Sequence, residues 1–337
     1  MESARDPEIE HVPTSGSLSP RVVGQRVVVR SRVPGETGPT GGPAFTDVLG
    51  VLESWSDGIL SIRTSIDHIV EIPADLVVSG KPVPPRPSRF SRMSAEEVER
   101  LCTSFARFTE VEDLGDWQLR VTDGVNPVAS AALLIGDPGV DVDDALVAVA
   151  QFYDRRGRRP AARVIAGSEI EQALIERGWS PMDVERADNE VLVVGVAALV
   201  RQIRDVDISD VAHESALTYD WLVGNERAQA NYASVARALD LPDATFGSIS
   251  EGGAQVARAR TNIVDGWAFL ADLFVQPDHR QRGLARRMMA GMADWSAERG
   301  ASVMALQVFA GNEAAQALYA SLGFERHHGY RYLTAQT

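Results

Sequence analysis

The sequence predicts a mixed α/β chain of the α+β class, in which a small antiparallel β-barrel precedes two related α/β copies. Three observations carry that prediction. Short β runs crowd residues 21–80, helical and strand patterns alternate from residue 90 to the end, and within that second stretch one segment recurs at a constant offset. A chain of 337 residues also exceeds one compact core and, at roughly 150 residues per domain, divides into two or three.

Residues 1–20 are polar and turn-rich without periodicity and read as a disordered tail. Residues 21–81 carry the runs QRVVVRSR, DVLGVLES, ILSIRTS and HIVEIP, with Val27 and Val29, then Leu60 and Ile62, alternating against polar neighbours. Asp57-Gly58 between two of the runs is a hairpin signal. That pattern resembles an SH3-like module. Its only aromatics, Phe45 and Trp55, are too few for an aromatic cage, so protein docking or homodimerisation is the role expected of it. Proline-rich residues 82–92 read as a stiff linker. In residues 93–200 a helix is expected over 95–108, strands over 117–122 and 128–135, and a helix over 144–155. Residues 201–337 bring helices near 210–222 and 228–239, then strands over 254–264 and 267–275 joined by the tight-turn pair Asp265-Gly266.

Composition excludes several function classes. With 33 basic against 47 acidic residues the net charge is −14, which argues against a nucleic-acid partner, because phosphate backbones need a basic face. The single cysteine, Cys102, excludes a disulfide framework and any four-thiolate zinc site, and the histidines show no ligand spacing, so no metal is expected. The longest apolar run, residues 191–200, is half of what a membrane-spanning helix needs, and the acidic N-terminus carries no secretion signal. A cytoplasmic protein without a membrane partner is expected.

The chemistry lies between Leu270 and Leu333. A strand enters Gln276-Pro277, then Arg280-Gln281-Arg282-Gly283-Leu284-Ala285-Arg286, then a helix with Leu284, Met288, Met292 and Trp295 on one face. Strand, glycine-containing loop and helix start form an anion cradle, since free backbone N–H groups and the positive end of the helix dipole converge there. Four arginines, Arg280, Arg282, Arg286 and Arg287, add charge suited to a pyrophosphate. The dinucleotide fingerprint, the Walker loop and the G-x-S-x-G elbow are all missing.

The loop resembles the coenzyme A signature R/Q-x-x-G-x-G/A of the GCN5-related N-acetyltransferase (GNAT) family, standing here as Arg280-x-x-Gly283-x-Ala285. A second match follows in the family's order, Asn312-x-x-Ala315-x-x-Leu318-Tyr319-x-x-x-Gly323-Phe324. Together the motifs cover about the last 135 residues. The resemblance implies an acyl-CoA-dependent N-acetyltransferase that moves an acetyl group from acetyl-CoA to a primary amine of a small molecule or protein. It implies that Leu273, Phe274 and Val275 supply backbone N–H groups to the thioester carbonyl and pair with the pantetheine arm, that residues 280–286 hold the pyrophosphate, that Asn312 contacts the arm, and that Tyr319 is the general acid for the departing thiolate. The family's usual glutamate is replaced by Ala271. Asp272 is the nearest substitute base, with Asp265 and Glu251 as others. The alternatives are a coenzyme A-binding regulatory protein that has lost transfer, and an acyltransferase for a longer chain. Carboxylates Glu214, Asp220 and Glu226 are placed to hold a cationic acceptor.

Residues 164–175 set beside 308–319 share Val, Ala, Gly, Glu, Gln, Ala and Leu in register. This looks like a duplicated fold, with tandem GNAT-like copies. Where the second copy has its arginine loop, the first has residues 136–144 with four carboxylates, while Ser168 stands for Asn312 and Ile175 for Tyr319. Residues 93–200 are therefore expected to be a degenerate copy that repels the coenzyme, and residues 201–337 the catalytic one.

Overall fold

A computed structural model describes residues 18–38, 41–64, 68–82, 93–122, 127–182 and 187–335. Of the tail expected over residues 1–20, residues 1–17 lie outside the described residues, as does nearly all of the expected linker; residues 18–20 are ordered instead, because Leu18 packs on the first unit's core and Pro20 opens a 3-10 turn to Val22. The chain forms two compact units, residues 1–88 and 89–337.

In the first unit, β1 (Arg26–Thr37), β2 (Pro43–Ser56), β3 (Ile59–Thr64), β4 (Ile69–Pro73) and β5 (Val77–Pro82) form an antiparallel sheet in the order β4-β3-β2-β1-β5. The alternation seen in the sequence buries Val27, Val29, Leu52, Leu60 and Ile62 in one core, against which Leu18 and Val22 pack. Asp57 and Gly58 both have positive φ, 51° and 74°, which matches the strand twist of a two-residue hairpin. At Gly50 a Cβ would stand 2.2 Å from the Arg63 carbonyl oxygen, so β2 and β3 cross too closely for any side chain.

The second unit contains, in order, α1 (Ala95–Cys102), β6 (Glu110–Leu114), β7 (Trp117–Val121), β8 (Ala132–Leu133), α2 (Val142–Asp154), β9 (Ala161–Ile165), α3 (Glu169–Glu176), β10 (Trp179–Pro181), β11 (Asp188–Gly195) and α4 (Val196–Gln202). It continues with β12 (Val211–Glu214), α5 (Glu226–Ala230), α6 (Tyr232–Leu239), β13 (Ala244–Glu251), β14 (Ala254–Val264), β15 (Trp267–Val275), α7 (Leu284–Glu298), β16 (Val303–Phe309), α8 (Glu313–Ser321) and β17 (Glu325–Ala335). One sheet runs through all of it in the order β12-β13-β14-β15-β16-β11-β17-β9-β8-β7-β6, with β10 beside the end of β17. Among the described residues only β8–β9 and β15–β16 are parallel, so each half has one strand–helix–strand crossover at the same place in the repeat.

The halves exchange strands. β11 pairs with β16 along Asn189–Gly195, while β17 pairs with β11 through its first part and with β9 from Tyr330 to Thr334. Residue 200, where the sequence divides the copies, falls within α4. On one face of the sheet α7 and α8 cover Ala268, Leu270, Met304 and Leu306; on the other, α1 covers Trp267, Phe269, Val303, Ala305 and Tyr330. Trp117, Phe152, Leu174 and Trp179 fill a further core under α2 and α3.

Three local expectations change. Residues 210–222 form β12 and a single 3-10 turn instead of a helix: Val211–Glu214 completes the sheet edge on β13, and Trp221 is buried with its indole N–H donating to the Gly247 carbonyl at 2.9 Å. The strand expected over 128–135 shrinks to β8 after a 3-10 turn, because the Tyr153 hydroxyl donates to the Ser130 carbonyl at 2.6 Å and the Ser130 hydroxyl accepts from Thr122 N–H at 3.1 Å. The helix expected over 95–108 stops at Cys102 and tightens, since the Thr103 hydroxyl donates back to the Arg100 carbonyl at 2.6 Å and Arg107 N–H donates to Ala238.

Candidate active site

β15 and β16 are hydrogen-bonded in parallel from Trp267 and Val303 to Leu270 and Leu306, then separate, although β15 runs on to Val275 and β16 to Phe309. The cause is a bulge. Opposite β14 the register slips between Arg260–Ala271 and Arg258–Phe274, and Asp272, the residue absorbing the slip, has φ 55°. The end of β15 is thereby tipped away from β16, and the backbone of Asp272–Val275 that faces the opening has no partner on β16. A V-shaped slot with a free strand edge results, suited to an extended ligand that pairs as an added strand.

The loop after β15 delivers the second half of the site. Gln281 and Gly283 have φ 60° and 79°, and Gly283 caps α7 in the left-handed region. That helix start has no side-chain cap and no acidic residue in its first turn, and the first backbone bond runs from Arg287 N–H to the Gly283 carbonyl. The N–H groups from Gly283 to Arg286 are thus left for an anion. Leu284 is buried beneath the turn and anchors it.

The arginines contribute less charge than the sequence suggested. Arg282 is paired with Glu251 through both terminal nitrogens at 3.0 Å, and Arg287 with Asp210 at 2.8 Å. Arg280 donates to the Val275 carbonyl at 3.2 Å and Arg286 to the Gln202 carbonyl at 3.2 Å, so these two hold the loop through neutral acceptors that leave the guanidinium charge in place. Backbone donors and two guanidinium groups, rather than four arginines, make the cradle.

Asn312 caps α8, its Oδ1 accepting from Ala315 N–H at 3.2 Å. Tyr319 lies about two turns further along α8, buried against Phe324 with ring centroids 5.6 Å apart, in the same cluster that Leu273 and Val275 pack upon. Burial pushes its hydroxyl up to about 12. Asp272, the sequence's candidate base, accepts from Arg260 Nε at 2.6 Å and is held as half of an ion pair. Asp265 occupies the turn at the opposite end of β15, and Glu251 is engaged by Arg282.

Beside the end of β15 lies a cavity of about 670 Å³ whose lining includes Glu214, Asp220, Asp278, Trp221, Gln255 and Gln276. Glu214 and Asp220 were expected to face a substrate; Glu226 is not in the lining. Asp278 was missed, although its place directly after Pro277 at the strand end was a visible signal.

The first half differs at the corresponding helix start. Asp141 Oδ1 accepts from Asp143 N–H at 2.9 Å to cap α2, and Asp137 Oδ1 accepts from Gly139 N–H at 2.8 Å. A Cβ on Gly115 would lie 2.3 Å from the Pro138 backbone, so that loop is packed shut against β6–β7.

Residues 106–333 match the family described as "Probable histone acetyltransferase Rv0428c C-terminal". The chain belongs to this GNAT-type acetyltransferase family. Residues 21–81 match the "Rv0428c N-terminal Sm-like domain", so the small β unit expected to be SH3-like is matched as Sm-like; strand alternation alone does not separate two kinds of small five-stranded sheet. The acetyltransferase is 23% identical over 254 residues to the uncharacterized N-acetyltransferase YobR of Bacillus subtilis, covering 70% of this chain and 97% of that one. It is 38% identical over 76 residues to the ribosomal protein bS18-alanine N-acetyltransferase of Escherichia coli, spanning 23% of this chain and 51% of the relative, about half its length. Among solved structures, a functionally unknown conserved protein from Staphylococcus epidermidis shares the fold at a TM-score of 0.52 and 11% identity, over 74% of this chain and 99% of that one. Among the acetyltransferase's described residues, no helix is long and apolar enough to cross a membrane.

Proposed function

We propose that the protein transfers an acetyl group from acetyl-CoA to the amine of a cationic acceptor. The observation that carries this is the uncapped start of α7 placed directly after the free edge of β15: the one suits a pyrophosphate, the other an extended pantetheine arm ending at a thioester. In this reading Gly283, Leu284, Ala285 and Arg286 bind phosphate oxygens through backbone N–H, with Arg280, Gln281 and Arg282 shaping the loop and Asn312 touching the arm. Backbone N–H groups of Leu273, Phe274 and Val275 stabilise the negative charge that develops on the thioester oxygen. Tyr319, protonated at neutral pH because burial raises its pKa to about 12, gives its proton to the departing thiolate. Asp272 keeps Arg260 in place, and the acceptor's proton leaves through water. Three carboxylates lining the cavity, Glu214, Asp220 and Asp278, favour a positively charged acceptor.

The first half serves as a degenerate copy in this proposal, because its own aspartates occupy the helix-start donors that an anion would need. Isothermal titration with coenzyme A is expected to give one site per chain; two sites would remove the proposal of a degenerate copy.

The capture of Asp272 by Arg260 favours one other reading, coenzyme A binding without transfer. Incubation of the full chain with acetyl-CoA and a panel of spermidine, a lysine-containing peptide and an aminoglycoside, followed by thiol detection, separates the two. Thiol release dependent on an amine supports transfer, and tight binding with no release from any amine supports the regulatory reading.

A further inference from the structure

Arg258 on β14 is buried, 5% exposed, and forms no ion pair with any described residue. Its Nη1 donates to the Val223 carbonyl, and its guanidinium lies 4.5 Å from the centroid of the Phe274 ring and 5.3 Å from that of Trp221. Its Nε is buried with no hydrogen-bond partner. Burial disfavours the charge, and the carboxylate that favours it, Asp272, is already paired with Arg260 at 2.6 Å. A buried guanidinium without a counter-ion of its own is costly, and a methionine or leucine would pack between two rings without that cost. Stability does not account for an arginine here.

What the side chain joins supplies the reason. Phe274 is the cross-strand partner of Arg258 and the first residue of β15 to pair with β14 again after the bulge at Asp272, so it lies in the segment whose other edge is open to the slot. Trp221 and Val223 belong to the turn before α5 and line the acceptor cavity. That turn is anchored on the sheet without Arg258: the Trp221 indole N–H donates to the Gly247 carbonyl at 2.9 Å, and Gln255 Nε2 donates to the Trp221 carbonyl at 3.0 Å. At its end Gly224 sits against Phe274, where a Cβ would stand 2.8 Å from the ring. Arg258 therefore adds a link between cavity wall and slot strand. A planar guanidinium suits that task, since it stacks on rings while donating to a carbonyl.

We infer that Arg258 is a positioning residue for the transfer: by joining Trp221 and Val223 on the cavity wall to Phe274 on β15, it fixes where the acceptor amine meets the thioester and carries occupancy of the slot to the cavity. It touches neither acceptor nor coenzyme. The first effect rests on the transferase reading; the second needs only coenzyme binding.

The test compares wild type with Arg258→Met, which keeps the apolar stem and removes the fork, with Phe274→Leu, which removes the ring and leaves the arginine, and with the double variant. Coenzyme A is the first probe. It is expected to slow hydrogen exchange in residues 219–225 of wild type, read by mass spectrometry, and to lose that effect in both single variants, while its dissociation constant stays within about twofold. With acetyl-CoA and spermidine, Arg258→Met is expected to lower kcat on the order of tenfold, the effect of a small misplacement of the amine. The double variant is expected to lose no more than the worse single variant, because both cut one link. Equal protection in wild type and Arg258→Met overturns the inference, as do no protection in wild type, an unchanged kcat in Arg258→Met, or losses that add in the double variant. A fall in Tm of more than about 4 °C in Arg258→Met marks the residue as structural and also overturns it. Absence of thiol release by wild type with spermidine, a lysine-containing peptide and an aminoglycoside overturns the transferase reading instead, and hydrogen exchange then decides about Arg258. Absence of coenzyme A binding to wild type overturns both.

Discussion

At the residue scale, two buried ionisable groups give opposite tests. Tyr319→Phe removes the proton donor while keeping the ring that packs on Phe324, so kcat is expected to fall on the order of 10²-fold with little change in coenzyme affinity or Tm, measured by steady-state kinetics beside calorimetry. Glu99 is structural. Burial opposes its charge, but the Arg163 guanidinium and the His328 hydrogen bond outweigh that cost and hold the carboxyl at about 2, below its ordinary 4.5. Because the folded value is the lower one, its contribution to stability is fully present above about 4.5 and is lost as pH falls from there toward 2. The urea midpoint is expected to drop across that window, and Glu99→Gln to lower the unfolding free energy at neutral pH by about 3–5 kcal/mol while flattening the acid slope. The loop and Asn312–Tyr319 motifs were legible in the sequence because each is a local run. The Glu99 cluster was not, since its partners stand 64 and 229 residues away and meet only through the sheet.

At the scale of elements, the decisive part is the start of α7. Gly283 has open space around a virtual Cβ but φ of 79°, so Gly283→Ala meets no clash and acts through backbone strain alone. Coenzyme A affinity is expected to weaken about fivefold to tenfold with a modest loss of stability, read by titration and thermal melting. Hairpin turns at Asp57-Gly58 and Asp265-Gly266, and the long strands and helices, were readable because local pattern and tertiary need agree. Residues 210–222 were not: VAHE carries no helix-breaking residue, and its choice of strand comes from the vacant edge of β13, which a linear pattern does not display. The bulge at Asp272 was equally hidden, because an aspartate in a strand looks like a solvated side chain until the register across β14 is known.

At the scale of the molecule, the continuous sheet makes the two halves of residues 89–337 interdependent. A fragment of residues 201–337 lacks β11, so β16 keeps an unpaired edge and β17 loses both neighbours. It is expected to be unfolded or aggregated by circular dichroism and gel filtration, whereas 89–337 folds with a cooperative transition. Removal of residues 1–88, a separate compact unit, is expected to leave kcat for acetyl transfer within about twofold, below the span of one hydrogen bond. The strand exchange also sets a timetable for synthesis. β11 leaves the ribosome before its partner on either side exists, and the roughly 140 residues that follow take on the order of ten seconds to make. Through that interval the nascent chain carries an apolar strand, Val191 to Val194, with both edges open, until β16 and then β17 arrive to close it. A chaperone that shields this one segment would therefore speed the maturation of both halves at once.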